Sequence, residues 1–291
     1  MQNTTPAERC AVMWQLALDA WAFKGENDKT SECKSISRAS YDLSTNMTDI
    51  GIIGFGQFGQ FMARHLARFF KISVCDEIDR SEEAAKINVD WTGFEEVASK
   101  DIVIFAVPLK AFEGVLKKAA LNLQPNALVI DVCSVKMKTI GLMLNHLPSS
   151  VEIIGTHPLF GPQSGRDGIE GLRVVLCPVR TKRAEEVKHF LSDALKLTVL
   201  ERTPEEHDRE MAYVQALTHF VSRALFEMRV EDSELSTVSY QELMKAASLL
   251  SDDSWELFQT IQRGNPHAAE RRKAFIEKLV ELEKRIETNE S

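Results

Sequence analysis

The sequence predicts an α/β protein in which a doubly wound, mostly parallel sheet is followed by an all-helical part. Three observations predict it. From Ile50 onward, short β-rich runs alternate with segments of helical period. These runs are apolar at consecutive positions, the pattern of strands buried on both faces. After Thr203 the strand signals stop, and helical periodicity continues to the end of the chain.

In chain order, strands are expected at residues 50–54, 72–76, 101–107, 127–132, 152–156, 173–178 and 197–201. Helices are expected between them, at 57–70, 110–121 and 184–195. Pro204 suits the first turn of a helix, and Glu205 and Glu206 suit its positive end. The last helix begins after Asn265-Pro266, with Phe275, Ile276, Leu279, Val280 and Leu282 at helical spacing. The apolar stripes of this half exceed what one small bundle hides, which predicts pairing with a second subunit in a homodimer. The expected division is an N-terminal extension at 1–48, a sheet domain at 49–203 and a helical domain at 204–291. Within the extension, 7–23 reads as a helix and 24–49 as a polar linker. Two readings of this extension stand side by side: an appendage that docks on a partner subunit, or a natural translation start at Met47.

The 291 residues carry a formal net charge of -8, which argues against nucleic acid and against anionic membrane surfaces as partners. No apolar run approaches the ~18 residues of a membrane span. The five cysteines form no CxxC pair, so they read as reduced thiols of a cytoplasmic protein, with no metal site.

Gly54-Phe55-Gly56-Gln57-Phe58-Gly59 joins the first strand to the first helix. Gly54 permits the tight turn, Gly56 lets the backbone approach a pyrophosphate, and Gly59 allows close helix–strand packing. Asp76 ends the second strand, 22 residues after Gly54 (76 minus 54). A carboxylate there hydrogen-bonds the adenosine ribose of NAD and repels the 2′-phosphate of NADP. The sheet domain is therefore expected to be of Rossmann type and to take NAD, with NADP less favoured although Arg80 lies nearby. Gln57, Phe58 and Val107 complete the expected cofactor contacts. The alternative to all this is a glycine-rich turn without a ligand.

Three further segments carry candidate chemistry. Gly155-Thr156-His157-Pro158-Leu159-Phe160-Gly161-Pro162-Gln163-Ser164-Gly165 follows a strand at the sheet edge where ligands bind. His157 there is either an acid–base group or a structural histidine. In Asp131-Val132-Cys133-Ser134-Val135-Lys136, Ser134 is placed to hydrogen-bond His157 or the nicotinamide, or to cap the next helix. In the helical half, Glu206-His207-Asp208 precedes His219, and Arg223 shares a helix face with His219. Taken alone, a residue such as His219 is more often a core histidine, and one such as Arg223 more often a surface charge.

These segments resemble the prephenate/arogenate dehydrogenases of tyrosine biosynthesis. The resemblance runs over about 49–287 and rests on GFGQFGQFMA, DVCSVK, GTHPLFGPQSG and EHDREMAYVQALTHFVSRAL. The stretches around 240–243, 253–258 and 265–275 are similar to the plant-type arogenate branch. It implies loss of a hydride from C4 of a cyclohexadienyl acid to the nicotinamide and of CO2 from C1, with aromatisation as the driving force. His157 would be the base for the C4 hydroxyl, facing the nicotinamide, with Ser134 orienting that hydroxyl or His157. His219, Gln163, Arg223 and Asp208 would line the substrate, with Lys136, Lys245 and Arg263 as further cations. The arginine–tryptophan pair of distant branches has no counterpart here. An unperturbed His157 would lose activity as pH falls through about 6.5. Asp208 is a candidate partner for the ammonium of arogenate, or equally a charge of the first helical turn or a partner for Arg223, and prephenate is the favoured substrate. Rival readings are a different Rossmann dehydrogenase with a helical dimer domain and a non-catalytic NAD-binding regulatory dimer.

Overall fold

Eight strands form one sheet in the order β3-β2-β1-β4-β5-β6-β7-β8. They are β1 (Asp49–Ile53), β2 (Lys71–Cys75), β3 (Asp90–Trp91), β4 (Ile102–Phe105), β5 (Leu128–Asp131), β6 (Glu152–Pro158), β7 (Arg173–Arg180) and β8 (Thr198–Glu201). The computed structural model describes residues 49–230, 233–248, 250 and 253–288. The helix at 7–23, nearly all of the linker at 24–49 and the question of Met47 lie outside them.

The chain winds from β1 to β3 on one side, then returns to β4 beside β1 and winds outward the other way. Ligands of such sheets bind at this reversal, beyond the C-terminal strand ends. Most strand interiors alternate between two cores. In β4, Val103 and Phe105 face one with Phe112 and Leu116, while Ile102 and Ile104 face the other with Ala63 and Leu66. Burying each such Leu or Phe contributes about 1.5–3 kcal/mol. Helices on the two faces supply the cover: α1 (Gln57–Leu66), α2 (Ser81–Lys86), α3 (Phe94–Ala98), α4 (Leu109–Ala119), α5 (Lys136–His146) and α6 (Ala184–His189).

The structure differs from the sequence expectation in a few places. β3 has two residues, too few for a periodic signal. β7 runs antiparallel to β6. No helix forms in the connection 159–172, where Gly168 and Gly171 adopt positive φ, so the chain doubles back instead of crossing over. The helix expected at 184–195 is α only to His189 and closes as a π-helical turn, Phe190–Ala194.

After β8 the chain is helical: α7 (Pro204–Met211), a π-helical turn (Ala212–Leu217), α8 (Thr218–Glu227), α9 (Val238–Ser248), α10 (Trp255–Gly264) and α11 (Ala268–Thr288). Pro204 sits in the first turn of α7, where Thr203 and Glu206 form a capping box. The π-helical turn displaces a carbonyl from regular pairing, and buried Gln262 of α10 donates to Ala216 O at 2.6 Å. The core here is small, centred on Ala216, Ile261 and Ala268. Along α11, Ile276, Leu279, Val280, Leu282 and Ile286 are 45–75 % exposed.

Candidate active site

The turn from β1 into α1 is built for close backbone approach. Gly54 has φ of +98°, and a side chain on it would sit 2.5 Å from Ala106 O and 2.9 Å from Val107 Cγ1. A Cβ on Gly59 would lie 2.1 Å from Gly54 O, so only glycine lets α1 pack this near the turn. Around Gly56, by contrast, a Cβ would meet nothing within 4 Å. Gly56 is the N-cap of α1, without a side-chain cap and with no acid in the first turn. That leaves N–H donors at a positive helix end, facing open space, which suits an anion. Gln57 is exposed and Phe58 half-buried there. Asp76 follows β2 and binds back to the same turn, accepting from Phe55 N at 2.6 Å and Ile78 N at 3.1 Å. These features fit a dinucleotide, with the pyrophosphate at Gly56 and the ribose toward Asp76.

His157 is the penultimate residue of β6, at the C-terminal edge of the sheet, and is 5 % exposed. Its Nδ1 lies 2.8 Å from His207 Nε2. His207 Nδ1 lies 2.7 Å from Asp208 Oδ1. Burial, and after it the charges of His207, Lys136 and His219, holds the His157 imidazole well below its ordinary 6.5. It is therefore neutral well into mildly acidic solution, and the acid limb expected near 6.5 moves lower.

Three site expectations are corrected. Asp208 does not face a ligand. It is fully buried, accepting from Lys136 N (2.8 Å) and Met137 N (2.9 Å) as well as from His207. It thereby caps α5 from another helix, with both oxygens engaged inside the protein. Ser134 is not the N-cap of α5. Val135 holds that position without a side-chain bond, because Asp208 already satisfies the first donors. Ser134 remains half-buried two residues before Lys136. Lys136 is also no reader of substrate carboxylates. It is fully buried, paired with Asp131 and donating to Thr156 O at 2.6 Å. Burial drives the Asp131 carboxyl up, and the ammonium pulls it back.

On α8, His219 and Arg223 line one cavity with Phe226, Asp253 and Phe258. His219 Nδ1 stands 3.4 Å from Asp253 Oδ2. Arg223 donates to Asp253 O at 2.9 Å and lies over the Phe258 ring at 5.5 Å. His219 is close enough to His157 to influence its proton affinity. Gln163, Lys245 and Arg263 are exposed. Sequence reasoning missed His207 as part of the site. It was visible in Glu206-His207-Asp208, but nothing local shows that it meets a residue 50 positions earlier.

Burial, then Arg223, lowers His219 to about 4. A histidine lowered on folding binds its proton more readily when unfolded, so its contribution is complete above 6.5 and lost as pH falls toward 4. The shift is worth about 3 kcal/mol. Urea unfolding at pH 7 and pH 4.5 should show this loss, reduced in His219→Gln; equal losses in both proteins would exclude it.

A Rossmann-type nucleotide-binding sheet, with a buried histidine at its ligand edge and an appended helical domain, defines the class. Residues 62–198 match the family model described as "Prephenate dehydrogenase, nucleotide-binding domain", and 203–291 match "Prephenate dehydrogenase, dimerization domain". The chain belongs to the prephenate dehydrogenase family. Among curated relatives, Arogenate dehydrogenase 1, chloroplastic, of Arabidopsis thaliana is 31 % identical over 239 residues, 78 % of this chain and 37 % of the relative. Arogenate dehydrogenase 2, chloroplastic, of the same plant is 31 % identical over 256 residues, 84 % of this chain and 70 % of the relative. The chain thus spans little more than a third of the first relative's length. The fold matches a crystal structure titled as prephenate dehydrogenase from A. aeolicus in complex with hydroxyphenyl propionate and NAD+, with TM-score 0.66 and 23 % identity, over 85 % of this chain and 94 % of that one. Among the described residues no helix is long and apolar enough to cross a membrane.

Proposed function

We propose that the chain is an NAD-dependent dehydrogenase that oxidatively decarboxylates a cyclohexadienyl acid, prephenate in the first reading, in tyrosine biosynthesis. The observation that carries it is His157: neutral, buried and set at the ligand edge of the sheet that bears the Gly54–Gly59 turn. Bound NAD supplies the acceptor for the C4 hydride. His157 takes the C4 hydroxyl proton as that hydride leaves. The C1–carboxylate bond then breaks, its electron pair enters the ring, and the proton returns to the ring oxygen as CO2 departs. Ser134 orients the hydroxyl. His219, Arg223 and Gln163 border the substrate, and Arg223 supplies positive charge for a carboxylate that would be costly to bury unpaired. Gly54, Gly56, Gln57, Phe58, Gly59, Asp76 and Val107 hold the dinucleotide.

The burial of Asp208 removes the expected ammonium partner and favours prephenate. Arogenate stands as the second reading, favoured by the names of the two Arabidopsis relatives and by the Asp253 carboxylate beside the cavity. The exposed apolar stripe of α11 supports a homodimer through 204–291. One experiment tests these points: NADH or NADPH formation with prephenate and arogenate, each with NAD and NADP, in the wild type and in Asp76→Ser. The wild type should prefer NAD, and Asp76→Ser should shift the preference toward NADP. Turnover of neither acid would refute the function, and unchanged cofactor preference would refute the role of Asp76.

A further inference from the structure

His157, His207 and Asp208 form a hydrogen-bonded chain whose direction follows from its far end. Asp208 accepts from the backbone N–H of Lys136 and of Met137, at the first turn of α5. With an N–H donor on each oxygen, Asp208 takes part in this network as an acceptor. The short contact from Asp208 Oδ1 to His207 Nδ1 therefore requires the proton on that nitrogen. In a neutral imidazole His207 Nε2 is then bare and can only accept. Its 2.8 Å partner, His157 Nδ1, must be the donor. That leaves the lone pair of His157 on Nε2, which makes no hydrogen bond to any described residue.

We propose that His207 is a positioning residue: anchored by Asp208, it fixes the Nδ1–H tautomer of His157 and so presents Nε2 as the proton acceptor. This rests on the reading of His157 as the base. The energetic logic is that of a buried chain. With all three members at 0–5 % exposure, reversing one proton would place two donors or two acceptors face to face without water to relieve them. The chain crosses between α7 and β6, so the helical part sets the protonation geometry of a group carried by the sheet.

The test begins with the wild-type protein without substrate. Its histidines are labelled with 15N, and the His157 signals are identified by their loss in His157→Asn. A pyrrole-type Nδ1 and a pyridine-type Nε2 are expected; the opposite tautomer overturns the proposal directly. His207→Phe fills the space but cannot accept a hydrogen bond. It should give a tautomer mixture at His157 and lower kcat about 100-fold or more, with KM within about threefold. His207→Gln restores an acceptor amide oxygen and should recover much of both. A His207→Phe protein whose His157 stays wholly in the Nδ1–H form shows that His207 does not set it. Because the tautomer is read without turnover, failure of the wild type to oxidise either acid refutes the function without touching this assignment.

Discussion

Replacing His157 by Asn is expected to lower kcat by about 10²- to 10⁴-fold, the usual contribution of a positioned base, while KM changes little. The side chain sits at the end of β6 with one ring nitrogen committed to His207. Asn keeps a polar group of similar reach but cannot take a proton near neutral pH. If the hydroxyl proton leaves together with the hydride, binding is preserved and the chemical step is lost. Residual turnover should be insensitive to pH across the range where the wild type responds. Steady-state rates from pH 5 to 8 are the measurement. A wild type whose acid limb lies at 6.5 would contradict the lowered proton affinity, and a variant of near-normal turnover would remove His157 from the chemistry.

The second large effect is on stability. Lys136→Met should destabilise the protein by about 3–5 kcal/mol, because it leaves the Asp131 carboxylate buried and uncompensated. Total stabilities are only about 5–15 kcal/mol. The ammonium also holds Thr156 O, the residue before His157, so the loss falls where β5 and β6 end. The double variant Asp131→Asn/Lys136→Met should be less damaged than Lys136→Met alone, since no buried charge is then left over. Urea midpoints of the wild type, both single variants and the double variant give the coupling. A Lys136→Met midpoint equal to wild type would mean that water or rearrangement replaces the pair.

The sheet was legible because its strands bury both faces, so each leaves a run of apolar residues that needs no partner to be recognised. Gly54 and Gly59 were legible for the same reason: the backbone demands they answer are local. β3 left no signal because two residues carry no period. The direction of β7 depended on a connection without a helix, which apolar runs do not report. At the site, His157 could be placed by its strand end alone. The destinations of Asp208 and Lys136 could not. Both are charged residues in segments that look solvent-facing. Each is drawn inside by a partner distant in sequence or by an inward-facing strand end, Asp208 by the start of α5 and Lys136 by Asp131 and Thr156 O. His207 shows the same limit, since its meaning lies in a contact with β6.

The extra residue within Ala212–Leu217 acts as a phase correction along one long helix. His207 and His219 are twelve positions apart (219 minus 207). At about 100° per residue, an uninterrupted α-helix would set them about 120° apart around its axis. One inserted residue reduces the effective separation to eleven steps and the angle to about 20°. The wider turn, with its loose carbonyl tied down by Gln262, thus sets both imidazoles on nearly the same face of a single rod.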